Sequence, residues 1–234
     1  MLVRNKHNRV YHVPNTDKFW IAQLTKDIFQ FKNILTLRKL CAYPRTVIDI
    51  GANVGSNTIE YCTYGMEVHS FEPTTDLYNC LVTNIELNVK PDMNVNMYNG
   101  TTVYTGNVHT YKVALGNENA TKYIQTHLDN KGRNYLMNGP SNSSEKIECR
   151  TLDSYKFTNV DVIKIDTEGY ELFVLQGAIE TIMRDRPIIQ TECDNVLFAR
   201  YGLSINDILS FMNEINYTMV AQHNHDMFWK YNEH

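Results

Sequence analysis

The chain has 234 residues, of which 43% are hydrophobic and 21% charged, the balance of an ordinary globular domain rather than a disordered or collagen-like chain. No apolar run reaches the about 18 residues that a membrane-spanning helix needs. The formal net charge is −4, and the five scattered cysteines form no CxxC pair, so neither a disulfide framework nor a structural zinc is expected.

The N-terminal segment from Met1 to Asn8 is polar and has no secretory apolar stretch, which makes a soluble, cytoplasmic protein the expectation. Residues 16–40 read as one amphipathic helix, because Trp20, Leu24, Ile28, Phe31 and Leu35 recur every three or four positions behind Asn15 or Thr16 as N-cap. Charge divides at the same place: residues 1–46 carry +7 and the remainder −11. A basic arm on an acidic body attracts an anionic partner, or packs on that body in the same chain or in a second copy as a homodimer. Residues 1–42 are therefore expected to be a basic helical extension and 43–234 the principal domain.

Beyond Pro44, Thr46–Ile50 is a buried strand entering a glycine turn, and a helix is expected over Ser56–Tyr64. A strand over Glu67–Glu72 is closed by Pro73 and followed by a helix to about Asn88. Residues 89–107 read as a long loop or an extra hairpin, Val108–Leu115 as a strand, and 117–146 as a long polar loop. Asp161–Asp166 is a further strand. Leu172, Leu175, Ile179 and Ile182 mark a helix, and Ile188–Glu192 a strand. Ser204 with Asp207 forms a capping box before a helix carrying Ile208 and Met212, and strands at Tyr217–Ala221 and Met227–Tyr231 end the chain. Strands and helices alternate, so the fold class is α/β, a mainly parallel sheet with helices on both faces.

In such sheets ligands bind at the carboxyl ends of the strands. Four of the five expected ends carry acids: Asp49 beside Gly51, then Glu72, then Asp166 with Glu168, then Glu192. The turn Asp49-Ile50-Gly51-Ala52-Asn53-Val54-Gly55 lacks the second and third glycines of a dinucleotide fingerprint, which disfavours a pyrophosphate. Asp49 suits a ligand ammonium instead, and Glu72, 21 residues past Gly51, suits the two hydroxyls of a ribose. Together they favour a nucleoside with a cationic tail.

The turn DIGANVG, the strand HSFEP, the ALG at Ala114–Gly116, KIDTEGYE at Lys164–Glu171 and RPIIQTE at Arg186–Glu192 resemble the FkbM family of S-adenosylmethionine-dependent methyltransferases, in order and spacing, over about residues 45–232. The resemblance implies the class I methyltransferase (Rossmann-like) fold, with a seven-stranded sheet whose last strand runs antiparallel, and O-methylation of sugars or natural products. It implies that Asp49, Gly51, Asn53 and Gly55 surround the methionine part of S-adenosyl-L-methionine, with Asn57 at the following helix start. Glu72 would hold the ribose, Ala114 and Leu115 would flank the adenine, and Asn84 is a further polar position of the pattern.

Asp166, Glu168 and Glu192 are the candidate catalytic acids, and Asp166 is also a candidate cofactor-orienting group. One of them can take the acceptor's proton as general base. Alternatively Asp166, Glu192 and Asn195 hold Mg²⁺ that acidifies the hydroxyl. Lys164 is expected to partner one of these acids. His127, His223 and His225, and Gly132-Arg133-Asn134, fall in loops on the expected substrate side, whereas His69 lies within a strand and is expected to be packed. The expected function is methyl transfer to a hydroxyl of a sugar or glycan acceptor. The alternatives are an RNA ribose 2′-O-methyltransferase, disfavoured because the −11 body is a poor track for nucleic acid, and a non-catalytic binding protein of the same fold.

Overall fold

The computed structural model describes residues 1–5, 8–26, 31–89, 96–98, 101–103 and 107–233. The chain opens with a hairpin of β1 (Leu2–Arg4) and β2 (Val10–His12), then α1 (Lys18–Lys26) and α2 (Phe31–Leu40). The single helix expected over 16–40 is thus two helices. Ile28 lies outside the described residues, as does the side chain of Phe31. There follow β3 (Thr46–Ile50), α3 (Ser56–Thr63), β4 (Glu67–Phe71) and α4 (Thr75–Asn88). Most of 89–107 lies outside the described residues, but β5 (Asn96–Tyr98) and β6 (Thr101–Val103) pair as an antiparallel hairpin. Next come β7 (Val108–Tyr111), β8 (Ala114–Leu115), β9 (Ala120–Gln125), β10 (Tyr135–Met137), β11 (Ser144–Arg150) and β12 (Val162–Ile165). The chain ends with α5 (Glu171–Gln176), α6 (Ile179–Asp185), β13 (Ile188–Glu192), α7 (Asn195–Phe198), α8 (Ile205–Glu214), β14 (Tyr217–His223) and β15 (Asp226–Tyr231).

Seven strands form the main sheet in the order β14-β15-β13-β12-β3-β4-β7. β15 is antiparallel to both neighbours, and the pairs from β13 through β7 are parallel, the arrangement expected. Successive side chains of a strand face opposite sides, and both sides are covered. Ile48, Ile50, Ile163, Ile165 and Ile189 pack with Leu172, Leu175, Ile182, Ile208 and Met212 of α5, α6 and α8. Val47, Val68, Val162 and Phe228 pack on the other side with Ile34 and Leu37 of α2 and Tyr61 of α3. Each such aliphatic side chain contributes roughly 1.5–3 kcal/mol by burial.

Three further sequence expectations change. The strand expected over Val108–Leu115 is two strands: β7 stays in the main sheet, whereas β8 leaves it to pair parallel with β11 at Cys149 and Arg150. The expected polar loop 117–146 holds most of a second sheet, ordered β10-β9-β11-β8. Its strands bury one face only: Lys122 and Ile124 in β9, Ile147 and Cys149 in β11, so their apolar signal is sparse. The helix expected through Leu172–Ile182 breaks at Gly177, where a Cβ would lie 1.9 Å from the Gly116 carbonyl oxygen.

The N-terminal hairpin is fastened to α4. Asn84 is fully buried; its side chain accepts from the His12 amide and donates to the carbonyls of His12 (2.9 Å) and Val54 (2.8 Å). Asn88 bonds both backbone groups of Val10 (3.2 and 2.8 Å), and Arg9 pairs with Glu60 at 2.6 Å. The basic segment therefore packs on its own chain. Among the described residues, no helix is long and apolar enough to cross a membrane.

Candidate active site

The turn between β3 and α3 is built by its glycines. Gly51 has φ +75°, and a Cβ there would sit 1.8 Å from the Asp166 carbonyl oxygen; at Gly55 (φ +84°) it would meet Leu81 at 2.6 Å. The amides of Gly51 and Ala52 both donate to the Phe71 carbonyl at 3.0 Å, tying the turn to the end of β4. Glu72, just beyond, accepts from the Asn53 amide (3.0 Å) and the Thr74 amide (2.9 Å). Burial raises its carboxyl to about 7, although both amides pull the other way.

Asp49 and Lys164 sit behind this turn rather than in it. Their Cα atoms are register partners in adjacent strands, and the ammonium lies 3.1 Å from Asp49 Oδ1. Asp49 Oδ2 accepts from Thr58 Oγ1 at 2.7 Å. Lys164 Nζ donates to the Gly51 carbonyl at 2.9 Å and reaches Asp166 Oδ2 at 3.6 Å. Burial disfavours its charged form, but the negative charges of Asp49 and Asp166 outweigh that and hold it protonated.

Asp166, Glu168 and Glu192 converge at the ends of β12 and β13, each offering an oxygen, with all three oxygens within 4.8 Å of one another. Burial pushes all three carboxyls upward. Lys164 opposes that at Asp166. Glu168 rises to about 8, with the Asp166 charge adding to the effect of burial and Arg200 opposing it. Glu192 rises furthest, by burial and then by the Asp166 charge, and its Oε2 is buried without a hydrogen-bond partner. Glu168 stands in the left-handed region (φ +58°), its carbonyl accepting from Arg200 at 3.1 Å. Such backbone strain persists only where the surroundings enforce it. This oxygen set is compact enough for a divalent cation, with Glu168 where the sequence suggested Asn195. The Asn195 side chain instead accepts from the Ile205 amide at 2.9 Å, outside the cavity.

A cavity of about 890 Å³ joins these parts. Gly51, Asn53, Asn57, Glu72, Ala114, Leu115, Asp166, Glu168 and Glu192 all line it, whereas Asp49 and Gly55 act from behind the wall. Gly132, Arg133 and Asn134 are on the wall, as are His223 and His225; His69 and His127 are not. Asn84 is spent on the His12 backbone of the N-terminal hairpin and on the Val54 carbonyl of the glycine turn.

Sequence reasoning missed the other wall. Phe19, Trp20, Gln23 and Asn33 of the N-terminal helices line the same cavity. Fully buried Asp17 accepts from the Trp20 amide (2.9 Å) and the Lys131 amide (3.0 Å), so it ties α1 to the 130–134 segment. Lys131 in turn pairs with Asp76 at 2.6 Å. Asn33 donates to Asp226 at 2.8 Å, and Thr36 bonds His223 at 2.8 Å. A buried Asp beside an amphipathic helix was the available signal; its partner lies 114 positions away and no local pattern announces it.

A family model for the methyltransferase FkbM domain matches residues 49–219. Among solved structures, methyltransferase FkbM from Methylobacillus flagellatus KT is 15% identical with a TM-score of 0.55, over 94% of this chain and 48% of that one. Monomeric WbdD is 10% identical with a TM-score of 0.50, over 96% of this chain and 46% of that one. The PH0226 protein from Pyrococcus horikoshii OT3 is 11% identical with a TM-score of 0.50, over 94% and 95%. The chain thus spans about half the length of the first two. These likenesses show the fold, the class I methyltransferase α/β sheet. No curated protein matches the chain.

Proposed function

The chain belongs to the FkbM methyltransferase family, and from that premise we propose that it is an S-adenosylmethionine-dependent O-methyltransferase acting on a hydroxyl of a sugar or glycan. The observation that carries this reading is one cavity in which the glycine turn and Glu72 at one end meet three carboxylates.

The residues at the first end fit the cofactor. Gly51, Asn53 and Asn57 line this end of the cavity, and Asn53 Oδ1 is buried without a partner. Glu72 would hold the ribose hydroxyls, Phe71, Ala114 and Leu115 the adenine, and Asn53 and Asn57 the amino-acid end. Asp49 would act through Lys164 rather than by touching the ligand. When bound, S-adenosylmethionine supplies a methyl group on a sulfonium centre whose leaving group is a neutral thioether.

The chain's own task is to position the acceptor hydroxyl and remove its proton. Three acids with separated proton affinities divide that task. Asp166 faces the Lys164 ammonium, which opposes the upward push of burial on its carboxyl. Glu192, pushed furthest up, keeps its proton. Glu168, at about 8, is the general base that accepts the hydroxyl proton. Positioning supplies the larger share of the acceleration, since well-oriented reactions reach effective molarities of about 10⁵–10⁸ M.

A hydroxyl-rich acceptor suits the remaining wall. Asn134 Nδ2 is buried without a partner, and Phe19, Trp20, Gln23 and Arg133 line the same cavity. In this reading residues 1–42 form an extension that completes the acceptor end, and 43–234 form the catalytic domain. Incubation with methyl-labelled cofactor and a panel of sugars and oligosaccharides tests the proposal. Label on a sugar oxygen is expected. Label on RNA ribose alone, or on no acceptor while the cofactor binds, would overturn it.

A further inference from the structure

We propose that Glu67, His69 and His109 form a binding site for one zinc-like divalent transition-metal ion, away from the cavity, that clips edge strand β7 to β4. Glu67 and His69 are two residues apart in β4 and so face the same side. His109 is the register partner of His69 in β7, which places its side chain on that side too.

The donor atoms converge. His109 Nε2 lies 3.2 Å and His69 Nε2 3.8 Å from one and the same oxygen, Glu67 Oε1. An ion about 2.1 Å from each donor in a tetrahedral site holds its donors about 3.4 Å apart, close to the spacing already present. A divalent ion would satisfy both ring nitrogens and the carboxylate together. The fourth position faces solvent, because the Glu67 and His109 side chains are each 47% exposed.

The ligand nearest the core is oriented. His69 Nδ1 lies 3.0 Å from the Tyr111 hydroxyl, and its ring packs on Phe157 at 4.3 Å and His109 at 4.8 Å. With Nδ1–H donating to the Tyr111 oxygen, Nε2 presents its lone pair toward Glu67, the arrangement that metal-bound histidines use. Two imidazoles and one carboxylate favour Zn²⁺, Ni²⁺ or Cu²⁺ over Mg²⁺. The other donor cluster among the described residues, Asp166, Glu168 and Glu192, is all oxygen and has the opposite preference.

Competition of the full chain with a chromophoric chelator for Zn²⁺ tests the site. One equivalent is expected to bind, with affinity falling at least about tenfold in His109→Ala and in Tyr111→Phe, and unchanged in Glu168→Gln. Zn²⁺ should also raise the unfolding midpoint of the wild type but not of His109→Ala, a half-exposed substitution that leaves the core untouched. Equal affinity in wild type and His109→Ala, loss of binding in Glu168→Gln, or no binding at all would overturn the proposal.

Discussion

Lys164 and Asp49 face each other across adjacent parallel strands, and their side chains meet at 3.1 Å, with 2% and 0% of their surface exposed. A lysine in the middle of a central strand would ordinarily be costly, because an unpaired buried charge forfeits its hydration. Here one ammonium serves Asp49, Asp166 and the Gly51 carbonyl, so strand, turn and candidate catalytic acid share a single cation. The pair links the fold to the site's electrostatics.

Lys164→Met is therefore expected to cost about 3–5 kcal/mol, the penalty of leaving one member of a buried pair alone. For a chain of this size that lowers the unfolding midpoint by about 10 °C. Adding Asp49→Asn should recover part of the loss, and calorimetric unfolding of the wild type, both single variants and the double variant checks both statements. Additive losses would show that the two side chains do not act as a pair.

Glu168 governs the pH dependence. Its carboxyl, raised to about 8, must be ionised to accept a proton, so methyl transfer should increase with pH and level off above about 8. Glu168→Gln should lower turnover by roughly 10²–10⁴-fold and abolish that rise. Chelation of divalent ions by EDTA should leave wild-type turnover unchanged. A pH–rate profile of label transfer in both proteins is the check, and an unaltered profile in the variant would move the base elsewhere.

Glu72 makes stability, rather than turnover, depend on pH. Its carboxyl is about 7 in the fold against an ordinary 4.5. Between those values the folded state keeps a proton that the unfolded chain has released, so stability falls as pH rises through that window. The cost at higher pH is on the order of 3 kcal/mol. Glu72→Gln should flatten the slope, as urea unfolding at pH 5 and pH 8 would reveal.

Asp17→Ala removes the acceptor for the Trp20 and Lys131 amides at a fully buried position. An unsatisfied buried donor costs about 1–3 kcal/mol, here borne by α1 and the 130–134 segment that wall the acceptor end. Limited proteolysis should cut near Lys131 sooner in the variant than in the wild type, and acceptor turnover should fall more than cofactor affinity. Identical cleavage would show that Asp17 does not hold the two segments together.

The main sheet was legible because its strands are buried on both faces and read as near-continuous apolar runs, as in Thr46–Ile50 and Val162–Ile165. The acids at strand ends stood out against those runs. The second sheet was not legible: β9 and β11 bury alternate residues only, and one of them is Lys122. The roles of Asp49 and Asn84 were hidden for a different reason. Neither side chain lines the cavity, and both bond partners fixed by tertiary packing: Lys164 for Asp49, and the His12 and Val54 backbone for Asn84. The second wall depends on contacts spanning more than a hundred positions, such as Asp17 to Lys131, which periodicity cannot express.

Calorimetric titration of S-adenosylhomocysteine into the wild type and Glu72→Gln, with NAD⁺ as the control ligand, tests the central claim most directly. The expected result is S-adenosylhomocysteine binding to the wild type, at least about tenfold weaker binding to Glu72→Gln, a loss of 1.4 kcal/mol or more, and no heat with NAD⁺. Binding of NAD⁺ in place of S-adenosylhomocysteine, or equal affinity of both proteins for S-adenosylhomocysteine, would contradict the assignment of this cavity.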